Sequence, residues 1–312
     1  MFSLALALLA GPVSSEVTLP AHPAPLHGTL SAPDSPAAVA VILPGSGPTD
    51  RDGNSPMGVS ASTYRLLAEG LAAQGIATVR IDKRGIAASA AAGPAEADLR
   101  FDAYVADARA WAAEAARRAD KPCAWLIGHS EGALVALKAV EGGPNADNDK
   151  VCGLILLSGA GRPAGVVLRE QLEKGLPEPL KAPAFAALTE LEAGRTVADP
   201  PPALAALFRP SVQPYLISWL PLDPAALLAA YDGPVFIGQG TTDLQVGIAD
   251  AQALAAADPR ATLKLWDGVN HVLKTAPAER AANLATYADP ALPLAPGVAE
   301  DVGAFIRAND EH

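Results

Sequence analysis

Short strand-like runs alternate along the chain with longer stretches in which apolar residues recur every three or four positions. The runs lie at residues 37–43, 76–81, 124–127, 151–157, 234–238 and 262–266. The stretches with helical spacing lie at residues 64–74, 101–118, 130–140, 248–256 and 298–308. Continuous apolar runs of this kind are typical of strands buried on both faces. Strands separated by helices imply right-handed crossovers, so the pattern predicts an α/β fold with a mostly parallel sheet flanked by helices.

This alternation breaks between residues 162 and 231. No strand pattern occurs in that stretch, and its short helical segments are interrupted by prolines, which end or bend helices. We interpret the stretch as a helical cap inserted into the α/β domain. The predicted organisation is therefore a leader at residues 1–15, a core in two parts at residues 16–161 and 232–312, and a cap at residues 162–231.

The first fifteen residues have the pattern of a secretory signal peptide. Met1 begins a ten-residue apolar stretch, and small residues then lead to Ser15, near which we expect cleavage. No Lys or Arg precedes the apolar stretch, so a misassigned start codon and an N-terminal strand stay open as alternatives. Cleavage would make the protein periplasmic or secreted, and its absence would make it cytoplasmic.

Composition restricts the partners. Lys and Arg total 23 against 34 Asp and Glu, and the net charge of -11 would repel the phosphates of nucleic acids. We therefore expect no nucleic-acid partner. No apolar run reaches the roughly 18 to 20 residues that a membrane-spanning helix requires, so we also expect no membrane span.

Only two cysteines occur, Cys123 and Cys152. Each lies at the start of a predicted strand, and the two strands should be neighbours, so a disulfide is conceivable in an oxidising compartment. We favour the alternative of two buried thiols that pack as small hydrophobic groups. Neither interpretation provides a zinc site.

The strongest chemical motif is Gly128-His129-Ser130-Glu131-Gly132. A predicted strand leads into it and a predicted helix leaves it, which is the setting of a nucleophile elbow. Such a turn exposes the serine hydroxyl at the carboxyl edge of the sheet, above the amino terminus of a helix whose dipole favours negative charge. Ser130 is therefore the candidate nucleophile.

A serine nucleophile requires a base and an acid that orients the base. Of the five histidines, only His271 follows a core strand on a loop at the same sheet edge as Ser130. Asp243 follows the preceding strand and is the candidate acid. We set aside Asp232, which precedes that strand, and Asp267, which is too close along the loop to face the ring.

The oxyanion of an acyl-transfer intermediate needs backbone N–H donors. One donor is expected from Glu131, directly after the nucleophile. The second is expected from the loop Gly45-Ser46-Gly47 after the first predicted strand, where Ser46 is favoured and Gly47 stays open. This chemistry implies no metal and no organic cofactor.

Five separated motifs carry a family resemblance. They are Pro44-Gly45-Ser46-Gly47-Pro48-Thr49-Asp50-Arg51-Asp52-Gly53-Asn54, Asp82-Lys83-Arg84-Gly85, the elbow, Thr242-Asp243-Leu244-Gln245-Val246 and Asn270-His271-Val272-Leu273-Lys274. In this order they resemble a group of bacterial α/β-hydrolases that is similar to carboxylesterases and is grouped with serine aminopeptidases and acyl hydrolases. The resemblance implies an α/β-hydrolase fold with a cap and a Ser-Asp-His triad.

The predicted function is hydrolysis of a small-molecule acyl ester through an acyl-enzyme. An amide or peptide hydrolase stays open because the same triad cleaves both bonds. Cap glutamates could hold a substrate amine, but helices normally direct such residues outward. A noncatalytic binding protein is a third alternative, although it would be expected to lack a triad residue. The sequence leaves the acyl chain and the oligomeric state open.

Two groups of side chains outside the triad have structural interpretations. The charged run Asp50-Arg51-Asp52 is interpreted as a solvated face or a local ion-pair network, and Lys83 and Arg84 are expected to pair with its carboxylates. The aromatic residues of the cap are expected to form its core, with one or two lining the acyl pocket. They are Phe185, Phe208, Tyr215 and Trp219.

Overall fold

The computed structural model describes residues 13–142 and 150–310. Its centre is an eight-stranded sheet in the order β1-β2-β4-β3-β5-β6-β7-β8. The strands are β1 (Val13–Leu19), β2 (Leu26–Ala32), β3 (Ala38–Leu43), β4 (Ile76–Ile81), β5 (Ala124–His129), β6 (Val151–Leu157), β7 (Val235–Gly240) and β8 (Thr262–Trp266). Strands β3 to β8 pair in parallel, whereas β2 pairs antiparallel with both β1 and β4.

Helices cover both faces of this sheet. They are α1 (Thr63–Ala72), α2 (Phe101–Ala119), α3 (Glu131–Ala139), α4 (Ala164–Gly175), α5 (Glu178–Glu192), α6 (Ala205–Phe208), α7 (Gln213–Trp219), α8 (Pro224–Ala229), α9 (Ile248–Ala257), α10 (Arg280–Ala285) and α11 (Val298–Asn309). Short 3₁₀ helices lie at Ala87–Ala92, Glu96–Asp98, Pro202–Leu204 and Thr286–Ala288. The predicted α/β-hydrolase fold, a mostly parallel sheet between helices, is confirmed.

The side chains of β3 show why its sequence is continuously apolar. Val39 and Val41 pack on the face covered by α2 and α3, while Ala40 and Ile42 pack on the face covered by α1 and α11. Successive strand residues point to opposite faces, so a strand buried on both faces must be apolar at every position. Strands β3 to β7 were predictable for this reason, whereas most of β8 is exposed.

Strands β1 and β2 form a hairpin-like edge that the apolar runs did not predict. Residues of β2 alternate between buried and half-buried positions, and most of β1 is exposed. Residues 1–12 of the predicted leader lie outside the described residues, and residues 13–15 belong to β1, where they pair with residues 30–32. In the described residues no helix is long and apolar enough to cross a membrane.

The predicted cap contains α4 to α8 and, in residues 162–231, no strand. Its core is continuous with that of the sheet: Leu188 and Phe208 belong to the same hydrophobic cluster as the residues of α2, α3 and β5. Phe208 and Tyr215 are buried as expected, whereas Phe185 and Trp219 are half-buried.

Cys123 and Cys152 form a disulfide with an S–S distance of 2.06 Å, so the favoured interpretation as two thiols is wrong. The physical reason is the register of β5 and β6. Ala124 pairs with Val151 and Trp125 with Gly153, which brings the two cysteines side by side with their Cα atoms 5.3 Å apart. This separation lies in the usual range for a bridged pair.

Candidate active site

Ser130 lies at a sharp turn between β5 and α3. Its backbone has φ 55° and ψ -121°, a conformation that non-glycine residues rarely adopt, and its N–H donates to the carbonyl of Leu157 on β6 at 2.9 Å. A Cβ on Gly128 would lie 2.2 Å from the carbonyl oxygen of Gly132, and one on Gly132 would lie 2.2 Å from that of Leu43. Both glycines are therefore required for this turn.

His271 and Asp243 are hydrogen-bonded, with 2.8 Å between Nδ1 of His271 and Oδ2 of Asp243. The Asp243 side chain is fully buried, and its Oδ1 accepts from the amides of Gln245 and Val246. Burial opposes ionisation of Asp243, but the His271 ring and the two amides outweigh it and hold its pKa below the usual value. Because an ionised carboxylate only accepts, Nδ1 of His271 donates and Nε2 is left as the basic nitrogen.

Gln239 is a further support for this acid. Its Nε2 donates to Oδ2 of Asp243 at 3.2 Å and to the carbonyl of Val246 at 3.0 Å.

The two aspartates that the sequence disfavours as the acid lie elsewhere. Asp232 pairs with Arg260, and Asp267 accepts from the hydroxyl of Thr241.

Two cavities meet at Ser130. The first, which we call the histidine cavity, has a volume of about 220 Å³ and is lined by Ser130, His271 and Tyr287 among others. The second, which we call the cap cavity, has a volume of about 100 Å³ and lies between α3 and the cap helices α4 and α7, with Leu134 and Trp219 in its wall. Ser130 and Ser46 line both cavities.

The loop after β3 is held on both sides of Gly45. The N–H of Gly45 donates to the hydroxyl oxygen of Tyr64 at 2.9 Å, and its carbonyl accepts from Nζ of Lys83 at 2.5 Å. The next amide in this loop is that of Ser46. Glu131 contributes an amide from the first turn of α3, where helical geometry leaves N–H groups without a partner in the helix.

Of the two interpretations of residues 50–52, the structure shows the ion pairs for Arg51 and Asp52, whereas Asp50 accepts from backbone amides. Arg51 binds Asp82 through both its side chain and its N–H, and Arg80 binds Asp52. The expected pairing of Lys83 and Arg84 with the same carboxylates is wrong. Arg84 binds Asp107 instead, and Lys83 reaches across to Gly45 and Glu131 because its strand end lies beside the loop after β3.

Sequence reasoning missed His129 and Tyr64, which connect the loop of Gly45 to that of His271. The Tyr64 hydroxyl lies 2.9 Å from Nδ1 of His129, and Nε2 of His129 lies 2.7 Å from the carbonyl oxygen of His271. Since that carbonyl can only accept, Nε2 of His129 donates to it, and Nδ1 accepts the proton of Tyr64. Burial and the neighbouring His271 ring lower the pKa of His129 to about 3, so it is neutral.

In the sequence, His129 is the variable position between the first glycine and the serine of the elbow motif. Its position in a fully buried strand was the available sign of a further role, because a buried imidazole needs partners for both nitrogens. The structure thus brings together all five residues predicted for the site, Ser130, Asp243, His271, Ser46 and Glu131, and adds a buried hydrogen-bond chain beneath them. Among the described residues, no cluster of metal-ligating side chains occurs.

Comparisons with known proteins agree with this fold. The model of the family described as serine aminopeptidase, S33, matches residues 56–189, which is less than half of the chain. No curated protein matches this chain. The esterase domain of a Rhodothermus marinus protein is a similar solved structure, with a TM-score of 0.58 and 18% identity over 96% of this chain and 99% of that one.

Two further structures are similar at low identity. Est1E from Butyrivibrio proteoclasticus, solved with ferulic acid, has a TM-score of 0.60 and 17% identity over 94% of this chain and 96% of that one. TT1662 from Thermus thermophilus has a TM-score of 0.57 and 20% identity over 97% of this chain and 100% of that one. With the strand order, these likenesses show that the chain has the α/β-hydrolase fold.

Proposed function

We propose that this chain is a serine hydrolase that cleaves carboxylic esters. The observation that carries the proposal is His271, which is joined to the buried Asp243 at 2.8 Å and lines one cavity together with the strained Ser130. A buried acid that fixes a histidine tautomer beside an elbow serine is the arrangement that activates a hydroxyl nucleophile.

In the proposed reaction, Oγ of Ser130 attacks the ester carbonyl carbon and its proton passes to Nε2 of His271. The carboxylate of Asp243 stabilises the imidazolium that forms. Negative charge develops on the carbonyl oxygen, which accepts from the amides of Ser46 and Glu131. The C–O bond to the leaving group breaks as His271 returns the proton to the departing oxygen. Water, deprotonated by His271, then attacks the acyl-enzyme and releases the carboxylic acid and Ser130.

Ester cleavage is favoured over aminopeptidase activity by the acidic side chains near the site. An aminopeptidase needs an available carboxylate to bind the substrate amine. Of the residues that the structure describes, Glu131 is the one acidic residue that lines either cavity. Its carboxylate accepts from the Tyr215 hydroxyl at 2.7 Å and lies 3.6 Å from Nζ of Lys83. The cap glutamates are also paired, for example Glu170 with Arg162.

The test is turnover of a nitrophenyl ester series of increasing acyl length beside aminoacyl nitroanilides. We expect ester hydrolysis by the wild-type chain and its loss in Ser130→Ala. Ser31→Ala, a change of the same kind on β2 outside both cavities, is the matched control and should retain full activity. Faster turnover of the anilides would favour the amidase alternative, and full activity of Ser130→Ala would reject the mechanism.

We further propose that the protein works in an oxidising compartment outside the cytoplasm. The support is the disulfide of Cys123 and Cys152, since structural disulfides persist where glutathione does not reduce them. Thiol titration of the denatured protein from a periplasmic fraction should find no free thiol, and mass spectrometry should find an N-terminus near Ser15. Two free thiols on a chain that retains Met1 would contradict this proposal.

A further inference from the structure

Lys83 is a buried charged residue that has no part in the reaction proposed above. It follows β4, its side chain is only 6% exposed, and it lines neither of the two cavities at Ser130. Burial opposes its positive charge and lowers the pKa of its ammonium group. Because apolar side chains of similar size are often at least as stable as buried charges, stability alone does not account for a lysine here.

The ammonium group of Lys83 contacts three other groups. Nζ donates to the carbonyl oxygen of Gly45 at 2.5 Å, lies 3.6 Å from a carboxylate oxygen of Glu131, and lies 5.4 Å from the centre of the Tyr104 ring. The distance to the carboxylate is longer than an ordinary hydrogen bond. The short bond to Gly45 is therefore the dominant contact of this group.

The carbonyl of Gly45 belongs to the same peptide group as the amide of Ser46, one of the two proposed oxyanion donors. Among the described residues, the one cis peptide bond is that of His22-Pro23, so the peptide between Gly45 and Ser46 is trans. In a planar trans peptide the C=O and the N–H point in opposite directions. A donor that fixes the carbonyl therefore also fixes the N–H of Ser46, which points away from Lys83.

This N–H is available to a ligand at the nucleophile. The structure gives it no acceptor within residues 13–142 and 150–310, although the carbonyl of Ser46 accepts from the Thr49 hydroxyl. A Cβ on Gly45 would lie 3.2 Å from Cβ of Ser130, so the peptide borders the nucleophile. An oxyanion that forms at Ser130 is therefore in a position to accept from this amide.

The backbone that carries Lys83 is anchored at both neighbouring residues. Asp82 accepts from the side chain and the N–H of Arg51, and Arg84 binds Asp107. The ammonium group of Lys83 is thus held in place before a substrate binds. Stabilisation of an oxyanion depends on donors that are preorganised in this way.

We propose that Lys83 is a positioning residue for the oxyanion hole, which orients and polarises the peptide group shared by Gly45 and Ser46. A charge-assisted hydrogen bond to the carbonyl draws electron density toward its oxygen and makes the N–H of the same peptide a stronger donor. The gain is largest when negative charge develops on the substrate, so it should appear in kcat rather than in KM. The inference rests on the ester hydrolysis proposed above and on Ser46 as a donor.

The test is Lys83→Met, which retains an unbranched side chain but removes the charge and the donor. Loss of an entire oxyanion donor lowers kcat by about 10²- to 10³-fold, so loss of its positioning should cost less. With nitrophenyl butanoate we expect kcat to fall by about 10- to 50-fold and KM to change by less than about threefold.

The second readout is inhibition by 1,1,1-trifluoropentan-2-one, a ketone with the same acyl chain. Oγ of Ser130 adds to its carbonyl carbon, the serine proton passes to His271, and the carbonyl oxygen becomes an oxyanion in the same hole. The inhibition constant should rise by about the factor by which kcat/KM falls, because both report binding of the oxyanion. A fall in kcat without this rise would overturn the proposal, since the defect would then lie outside the oxyanion hole.

Lys274→Met is the matched control. Lys274 is also a fully buried lysine whose Nζ donates to a backbone carbonyl, that of Leu292, but it lines neither cavity. Its kcat and inhibition constant should stay within about threefold of the wild-type values. An equal loss in Lys274→Met would overturn the role of Lys83. A folded Lys83→Met variant with kcat within about threefold of the wild-type value would overturn it as well.

A double variant keeps the test valid if Lys83→Met does not fold because the Glu131 carboxylate has lost its counter-charge. Lys83→Met combined with Glu131→Gln removes both charges and retains the backbone amide of residue 131. We expect its kcat to stay at least about tenfold below the wild-type value, and a return to within about threefold would overturn the proposal. Absence of Ser130-dependent ester hydrolysis in the wild type would instead reject the function on which the inference rests, so the two failures are distinguishable.

Discussion

Replacing Tyr64 by phenylalanine removes one oxygen from the buried hydrogen-bond chain beneath the oxyanion loop. That oxygen accepts from the N–H of Gly45 at 2.9 Å, and its proton is directed to Nδ1 of His129 at 2.9 Å. Tyr64 is fully buried, so water does not replace the hydroxyl without rearrangement. The variant therefore leaves one donor and one acceptor without partners and frees the loop that carries the amide of Ser46.

The expected magnitudes follow from these losses. Each buried group left without a partner costs about 1–3 kcal/mol, so loss of the partners of both groups should lower the free energy of unfolding of Tyr64→Phe by about 2–6 kcal/mol. Complete loss of one oxyanion donor lowers kcat by about 10²- to 10³-fold. A donor that is displaced rather than deleted should cost less, so we expect kcat to fall by about 10- to 100-fold and KM to change by less than about threefold.

The assay is steady-state hydrolysis of a nitrophenyl ester together with urea unfolding. Tyr287→Phe is the matched control, because Tyr287 lines the same histidine cavity but, within residues 13–142 and 150–310, its hydroxyl is bound only by Nε2 of Gln245, at 3.3 Å. This control should keep kcat within about twofold of the wild type. A folded Tyr64→Phe variant with wild-type kcat, or an equal loss of kcat in Tyr287→Phe, would refute the positioning role.

Three further predictions concern the disulfide and the buried titratable groups. Replacing Cys123 and Cys152 by serine should lower the free energy of unfolding by about 3–4 kcal/mol, as expected for a bridge between residues 29 apart, and unchanged urea denaturation of that variant would contradict it. Asp243→Asn should lower kcat by about 10⁴-fold with little change in thermal unfolding, because the wrong tautomer of His271 is then favoured. A kcat within tenfold of the wild-type value would exclude Asp243 as the acid. The pKa of His129 is lowered to about 3, so below pH 6.5 the unfolded chain binds a proton that the folded chain does not. Stability should therefore fall by about 2 kcal/mol between pH 6.5 and pH 5 from this group alone, and urea titrations should show a smaller fall in a folded His129→Asn variant.

The parallel strands and the positions of the five candidate site residues could be predicted because their causes are local. A strand such as β3, buried on both faces, has to be apolar throughout, and a serine between a strand and a helix with flanking glycines marks the elbow. Asp243 and His271 follow strand ends, and the carboxyl ends of parallel strands meet at one edge of the sheet.

The features that were missed depend on contacts between distant segments. Tyr64 and His129 are 65 residues apart, and each has an ordinary place in its own element, so only the packing of α1 against β5 reveals their hydrogen bond. The disulfide depends on a register shift between β5 and β6 that no residue pattern encodes. β1 lies in a stretch whose small and polar residues resemble a leader.

The continuous core beneath the cap has a consequence for how new specificities arise in this chain. Residues of α5 and α6 belong to the same hydrophobic cluster as those of the sheet and of α2 and α3, so the cap is not a detachable module. A chimaera carrying a foreign cap would expose apolar surface on the catalytic domain and would have to rebuild a shared interior. Substrate range in this scaffold is therefore expected to diversify through single substitutions in the cavity wall rather than through exchange of whole segments.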